Sequence, residues 1–199
     1  MQELKRLLAG EEDAALDLAA AQIAQIIDAG HSSAWVLNRL DDLAENFEAQ
    51  LPSPSAEMSG PDFVAALNAY LFDELRFTGD TANYYGPQNS FLHQVLQRRA
   101  GMPITLSVVY MEIARRLGRR VLGIGLPGHF IVEYVDSQWR TYIDPFHGGK
   151  LLSRREAVSV VKQATGIDLT PAQEQHFFQP ASKRDIVKRM LRNLQGMFV

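Results

Sequence analysis

The sequence predicts an α+β fold, and three observations carry that prediction. Apolar residues recur at three- and four-residue spacing through the first third, residues 103–117 are apolar nearly all round, and three short strand-like segments follow between residues 120 and 143. At 199 residues and 46% hydrophobic, the chain can bury a core as one domain, or as one domain with a helical attachment.

Residues 11–28 place Leu16, Ala19, Ala20, Ile23 and Ile27 on one helical face, with Gly30 positioned to stop the helix. Ser32 or Ser33 caps a second helix, whose stripe is Val36, Leu40, Leu43 and Phe47. The Pro/Ser/Gly stretch at residues 51–60 breaks the pattern as a linker or long loop. Pro61 suits the first turn of a third helix carrying Phe63, Leu67, Leu71 and Leu75. A loop at residues 83–87 and a short helix at residues 89–99 precede the all-round apolar helix, which belongs inside a fold. Strands are predicted at residues 120–126, 129–135 and 139–143, with a tight turn at residues 136–138. Two or three helices follow. The last, residues 183–199, sets Val187, Met190, Leu191, Leu194 and Phe198 against Lys183, Arg184, Lys188 and Arg192, so its apolar face needs a partner in the body of the protein or elsewhere. The resulting division is an N-terminal helical region at 1–80, an α+β core at 81–180 and a C-terminal helix at 181–199.

The absence of cysteine removes disulfide frameworks, cysteine-ligated zinc and iron–sulfur sites, and it fits a reducing compartment. No apolar run reaches membrane-spanning length, and residues 1–8 lack the long apolar segment of a secretory signal, so a cytoplasmic protein is expected. The net charge of −3 hides a division: residues 1–80 carry 15 acidic and 4 basic side chains, and residues 81–199 carry 8 and 16. Either the halves pack against each other or each has its own solvated faces. Arginine pairs at 98–99, 115–116, 119–120 and 154–155 raise nucleic acid as a partner. The pI near 5.9 and the lack of aromatic interleaving argue against it, and Glu112 four residues before Arg116 fits ordinary helix-surface pairing.

Gly123-Ile124-Gly125-Leu126-Pro127-Gly128 matches the G-x-G-x-x-G dinucleotide fingerprint but leads into the β-branched segment Phe130-Ile131-Val132, not into a helix. No cofactor is therefore expected. The glycines instead permit a sharp turn that presents His129.

His129 and Asp144 stand on adjacent strand-like segments, where the turn at residues 136–138 brings them roughly opposite each other. A histidine with a carboxylate on its far nitrogen is the supporting half of a thiol site. The thiol would stand at a helix N-terminus, where the dipole and the imidazole lower its pKa. Here that half exists without a thiol.

Gly101-Met102-Pro103, Leu117-Gly118, Gly128-His129-Phe130-Ile131-Val132 and Asp144-Pro145 occur in the order and at the spacing of the transglutaminase-like superfamily. Closer still, residues 101–110, Leu126-Pro127-Gly128-His129-Phe130 and Asp144-Pro145-Phe146-His147-Gly148-Gly149 resemble the bacterial SirB-type members, whose core resembles the C-terminal region of certain eukaryotic F-box proteins. The resemblance implies a papain-like core, a central buried helix packed on a small antiparallel sheet, with Pro103 at the position of the nucleophilic cysteine. It also implies that residues 184–194 lead into TPR-like repeats in longer members. The expected function is then a non-catalytic module that binds a protein or peptide, or that self-associates or meets a partner through the C-terminal helix. The competing expectation is a hydrolase or acyltransferase on peptide or amide bonds, with Ser107 or Thr105 as nucleophile, His129 as base and Asp144 as orienter. Asn83, Tyr84, Tyr85, Asn89, Ser90 and His93 resemble part of the family's cleft wall, or form a loop tied down by its own amides. Adding His147 or His93 to the pair matches no recognised metal-ligand signature, so no metal is expected.

Overall fold

Residues 103–116 form the helix around which the rest is arranged, and Ile104, Leu106, Val108, Val109, Tyr110, Ile113 and Ala114 are all buried in it. The computed structural model describes residues 1–11, 13–27 and 32–196; the predicted stop at Gly30 and the apolar Phe198 lie outside them. In chain order the helices are α1 (Gln2–Ala9), α2 (Leu16–Gln22), α3 (Ser33–Gln50), α4 (Gly60–Asn68), α5 (Leu92–Arg98), α6 (Pro103–Arg116), α7 (Arg154–Thr165), α8 (Pro171–Phe177) and α9 (Lys183–Gln195). Two short strands, β1 (Thr78–Gly79) and β2 (Ala100–Gly101), pair in parallel. Strands β3 (Val121–Ile124), β4 (Ile131–Val135), β5 (Arg140–Asp144) and β6 (Lys150–Leu152) form an antiparallel meander in sequence order.

The sheet is covered on both faces, as the alternation along its strands requires. Val132, Tyr134 and Ile143 join the main core with α6, whereas Ile124, Ile131 and Leu152 pack with Ala157 and Val161 of α7 and with Phe178. The edge at β3 is closed by chain returning after α8: Ala181 donates its N–H to Gly123 O at 2.8 Å, and Pro180 bridges Ile124. The chain then enters α9, whose Ile186, Val187, Met190 and Leu194 are buried in the main core. Among the described residues, that apolar face therefore finds its partner in the body of the protein.

The N-terminal helices share this core. Leu4, Leu16, Val36, Phe47, Phe63 and Leu71 cluster with α6 and α9. The acidic first third meets the basic remainder at α6, where Asp17 Oδ2 pairs with Arg115 and Arg116 at 3.1 and 2.8 Å and Asp41 pairs with Arg116 at 2.6 Å. Glu112, buried beneath them, also pairs with both arginines; burial and the nearby Asp17 push its carboxyl up, against the pull of those cations. The stretch predicted as a linker is fastened down: Arg119 donates to the carbonyls of Ser55 and Met58, and Ser55 is buried.

Several predicted boundaries shift. The helix expected over residues 11–28 is α2 followed by a 3₁₀ turn at Ile23–Ile26, with Ile27 exposed. The third helix opens at Gly60 under a Ser59 cap and widens to a π-turn at Ala69–Glu74, which keeps Leu71 in the core. The helix α1 and strands β1, β2 and β6 have no counterpart in the sequence-based reading.

Candidate functional site

Asp144 ends β5, and its carboxylate organises the site. Oδ1 accepts the N–H groups of Phe146 and His147 at 3.1 and 3.3 Å, while Oδ2 lies 2.8 Å from both His129 Nε2 and His147 Nδ1. The 3₁₀ turn Pro145–His147 that follows the strand supplies these partners. Burial alone would push the Asp144 carboxyl up, but the hydrogen bonds and charges of the two imidazoles outweigh it and hold it below the ordinary carboxylate value.

His129 reaches Asp144 differently from the expected cross-strand pairing. Val132 lies opposite Ile143, so the ladder ends before His129 and the histidine sits on the turn entering β4. Gly128 has φ of +70°, and a Cβ there would approach Thr165 Cγ2 at 2.7 Å, so only glycine fits the turn that aims the imidazole. His129 N–H closes this turn onto Leu126 O at 3.2 Å, and its carbonyl accepts from Arg189 Nη2 of α9 at 2.7 Å. With Nε2 committed to Asp144, Nδ1 has no hydrogen-bond partner among the described residues, yet it is not sealed off from solvent.

His129 borders a cavity of about 400 Å³ that Pro103 and Ile104 also line, at the start of α6. Tyr84 and Tyr85 line it too, together with Arg189, Arg192 and Asn193 of α9. Pro103 and His129 thus line the same cavity, and the proline offers neither a nucleophile nor an N–H. The two hydroxyls do not fill the gap. Thr105 Oγ1 bonds to Asn89 O at 2.8 Å and to Met102 O at 3.0 Å, and Ser107 Oγ is fully buried with no hydrogen-bond partner among the described residues. Neither bonds to His129.

Of the predicted cleft residues, Tyr85 lines the cavity, as does Tyr84 beside it. Asn83, Asn89 and His93 do not. Asn89 is wholly buried and ties the loop together, donating to Asn83 O at 2.7 Å and accepting from Arg98 Nη1 at 2.9 Å. His93 packs its ring against Phe91. For a metal ion, the described residues that bring candidate ligand atoms together are His129, Asp144 and His147, all within 4.8 Å of one another. Sequence reasoning missed Arg189 and Asn193. Both sit on a helix whose charged side reads as solvated, and the clue to Arg189 is its place directly before the buried Met190, at the edge of the apolar stripe.

A helix opening onto an imidazole held by a carboxylate, on a small antiparallel sheet, defines a transglutaminase-like α+β domain. The chain belongs to the transglutaminase-like superfamily, whose family pattern matches residues 34–192. It is 37% identical over 163 residues to a UPF0162 protein of Xylella fastidiosa, covering 81% of this chain and 58% of that one. It is 30% identical over 190 residues to a UPF0162 protein of Pseudomonas aeruginosa, covering 94% and 66%. Human F-box only protein 21 is 32% identical over 140 residues, covering 66% of this chain and 21% of that protein. The chain thus spans 58% of the length of the first of these relatives. No solved structure matches it.

Proposed function

We propose that this chain is a SirB-type transglutaminase-like domain that has left thiol chemistry behind and works, in the cytoplasm, as a module binding a peptide or an extended segment of a protein. One observation carries the reading: the cavity beside His129 is bounded by Pro103 where a nucleophile would stand, in a chain with no cysteine. Nucleophilic catalysis needs the nucleophile within hydrogen-bond reach of its base. Thr105 is engaged elsewhere and Ser107 is sealed in the core, so neither hydroxyl is placed for the His129–Asp144 pair to activate. A concave site with aromatic and cationic walls remains, and such a site suits recognition.

Selection of displayed random peptides against the protein tests this. The expected result is a set of binders released by Pro103→Trp, which fills the cavity, in a variant whose thermal unfolding matches the parent. Binders indifferent to that substitution, or cleavage of the selected peptides by the purified protein, would overturn the reading.

A further inference from the structure

Among the described residues, the cavity has two cations on its rim and no anion in its wall. Arg189 and Arg192 are three residues apart on α9 and share a face. Neither has a carboxylate partner among the described residues, whereas Arg6, Arg98, Arg115 and Arg116 each pair with one at 3.1 Å or closer. None of the cavity-lining side chains is acidic.

Arg189 is the more unusual of the two. It is half-buried, spends one N–H on His129 O at 2.7 Å and lies over the Phe130 ring at 5.5 Å. A guanidinium taken out of water without a counter-ion is unfavourable, and here burial pushes its pKa down, with Tyr84 opposing the shift and the neighbouring Arg192 adding to it. Like charges side by side at the rim of a concave site focus a positive potential into it. The N–H of Ile104, second residue of α6, adds a donor with no acceptor inside its own helix. The lining also has an aromatic part: Tyr84 stands edge-on to Tyr85 and to Phe146.

Arginine forks match planar oxyanions, and the volume lies at the small end of ligand pockets, about 300–1,000 Å³, so the occupant is a short segment. We infer that the cavity takes a peptide carboxylate, chain-terminal or side-chain, with Arg189 and Arg192 as its counter-ions and the adjoining residue against Tyr84 and Tyr85. This rests on the peptide-binding reading above and adds the chemistry of the ligand to it.

The test is a titration of the ¹⁵N-labelled full chain, followed by amide shifts, with three probes: acetyl-Ala-Ala-Ala, the same peptide as its C-terminal amide, and inorganic phosphate. The acid is expected to shift the amides of Ile104, His129 and residues 189–193 saturably, and the amide form to bind about tenfold more weakly, as loss of one charge-assisted pair implies. Arg192→Gln, at an exposed position, should reduce that difference between acid and amide, and Arg192→Lys should restore part of it. Equal binding of acid and amide would overturn the carboxylate assignment while leaving the peptide-binding reading in place. Saturation by phosphate without saturation by the acid would overturn it in favour of a different anion. Silence of all these amides toward every probe would overturn both readings.

Discussion

Ser107 shows how one hydroxyl separates two accounts of the same helix. Its Oγ is buried without a partner, and an unsatisfied buried hydroxyl costs about 1–3 kcal/mol. Ser107→Ala removes that cost and almost no volume, so urea unfolding should show unchanged or higher stability, by up to about 1 kcal/mol. A clear loss would mean that the hydroxyl has a bonded role. Asp144 gives the opposite kind of prediction. Its folded-state pKa is held below the unfolded value, so its contribution to stability is complete above the unfolded pKa and disappears as pH falls through the folded one. In Asp144→Asn, stability at neutral pH should drop and the acid arm of a stability-against-pH profile should become shallower. An acid arm identical to that of the parent would contradict the assignment. Both residues stood out in the sequence, yet only the fold distinguishes the sealed hydroxyl from the organising carboxylate, because burial is decided by packing.

Elements with strong periodicity were legible, and elements fixed by their neighbours were not. The stripe Val36, Leu40, Leu43 and Phe47 and the all-round apolar α6 follow from helical spacing, and both are buried as that spacing demands. Strand β6 is three residues long and its Leu151 is exposed, so it carries no alternation of its own and exists by pairing with β5. Strands β1 and β2, two residues each, are likewise set by their pairing. The turn before β4 was readable through Gly128, because a glycine shortly ahead of a strand-like run signals a special backbone position. The register was not: His129 lies beyond the ladder and meets Asp144 across a turn, a distinction of two residues that alternation alone does not fix. The polar side of α9 looked solvated because helical periodicity says which face is charged and nothing about what stands opposite it.

At the scale of the molecule, the site exists because segments far apart in the chain converge: Tyr84 and Tyr85 before α5, Pro103 at the start of α6, His129 before β4, Asp144 at the end of β5, and Arg189 and Arg192 on α9. The shared core and the charge pairing of Asp17 and Asp41 with α6 hold that convergence in place. The central claim is that Pro103 occupies the attacking position of a site whose base and orienter persist. Pro103→Cys tests it most directly, because the chain has no other thiol to contribute to the signal. The pH dependence of iodoacetamide alkylation should then report a thiol at a helix N-terminus beside an imidazole, titrating at least about one unit below the ordinary 8.5 and returning toward it when His129→Ala is added. A thiol that titrates near 8.5 and ignores the loss of His129 would contradict the account.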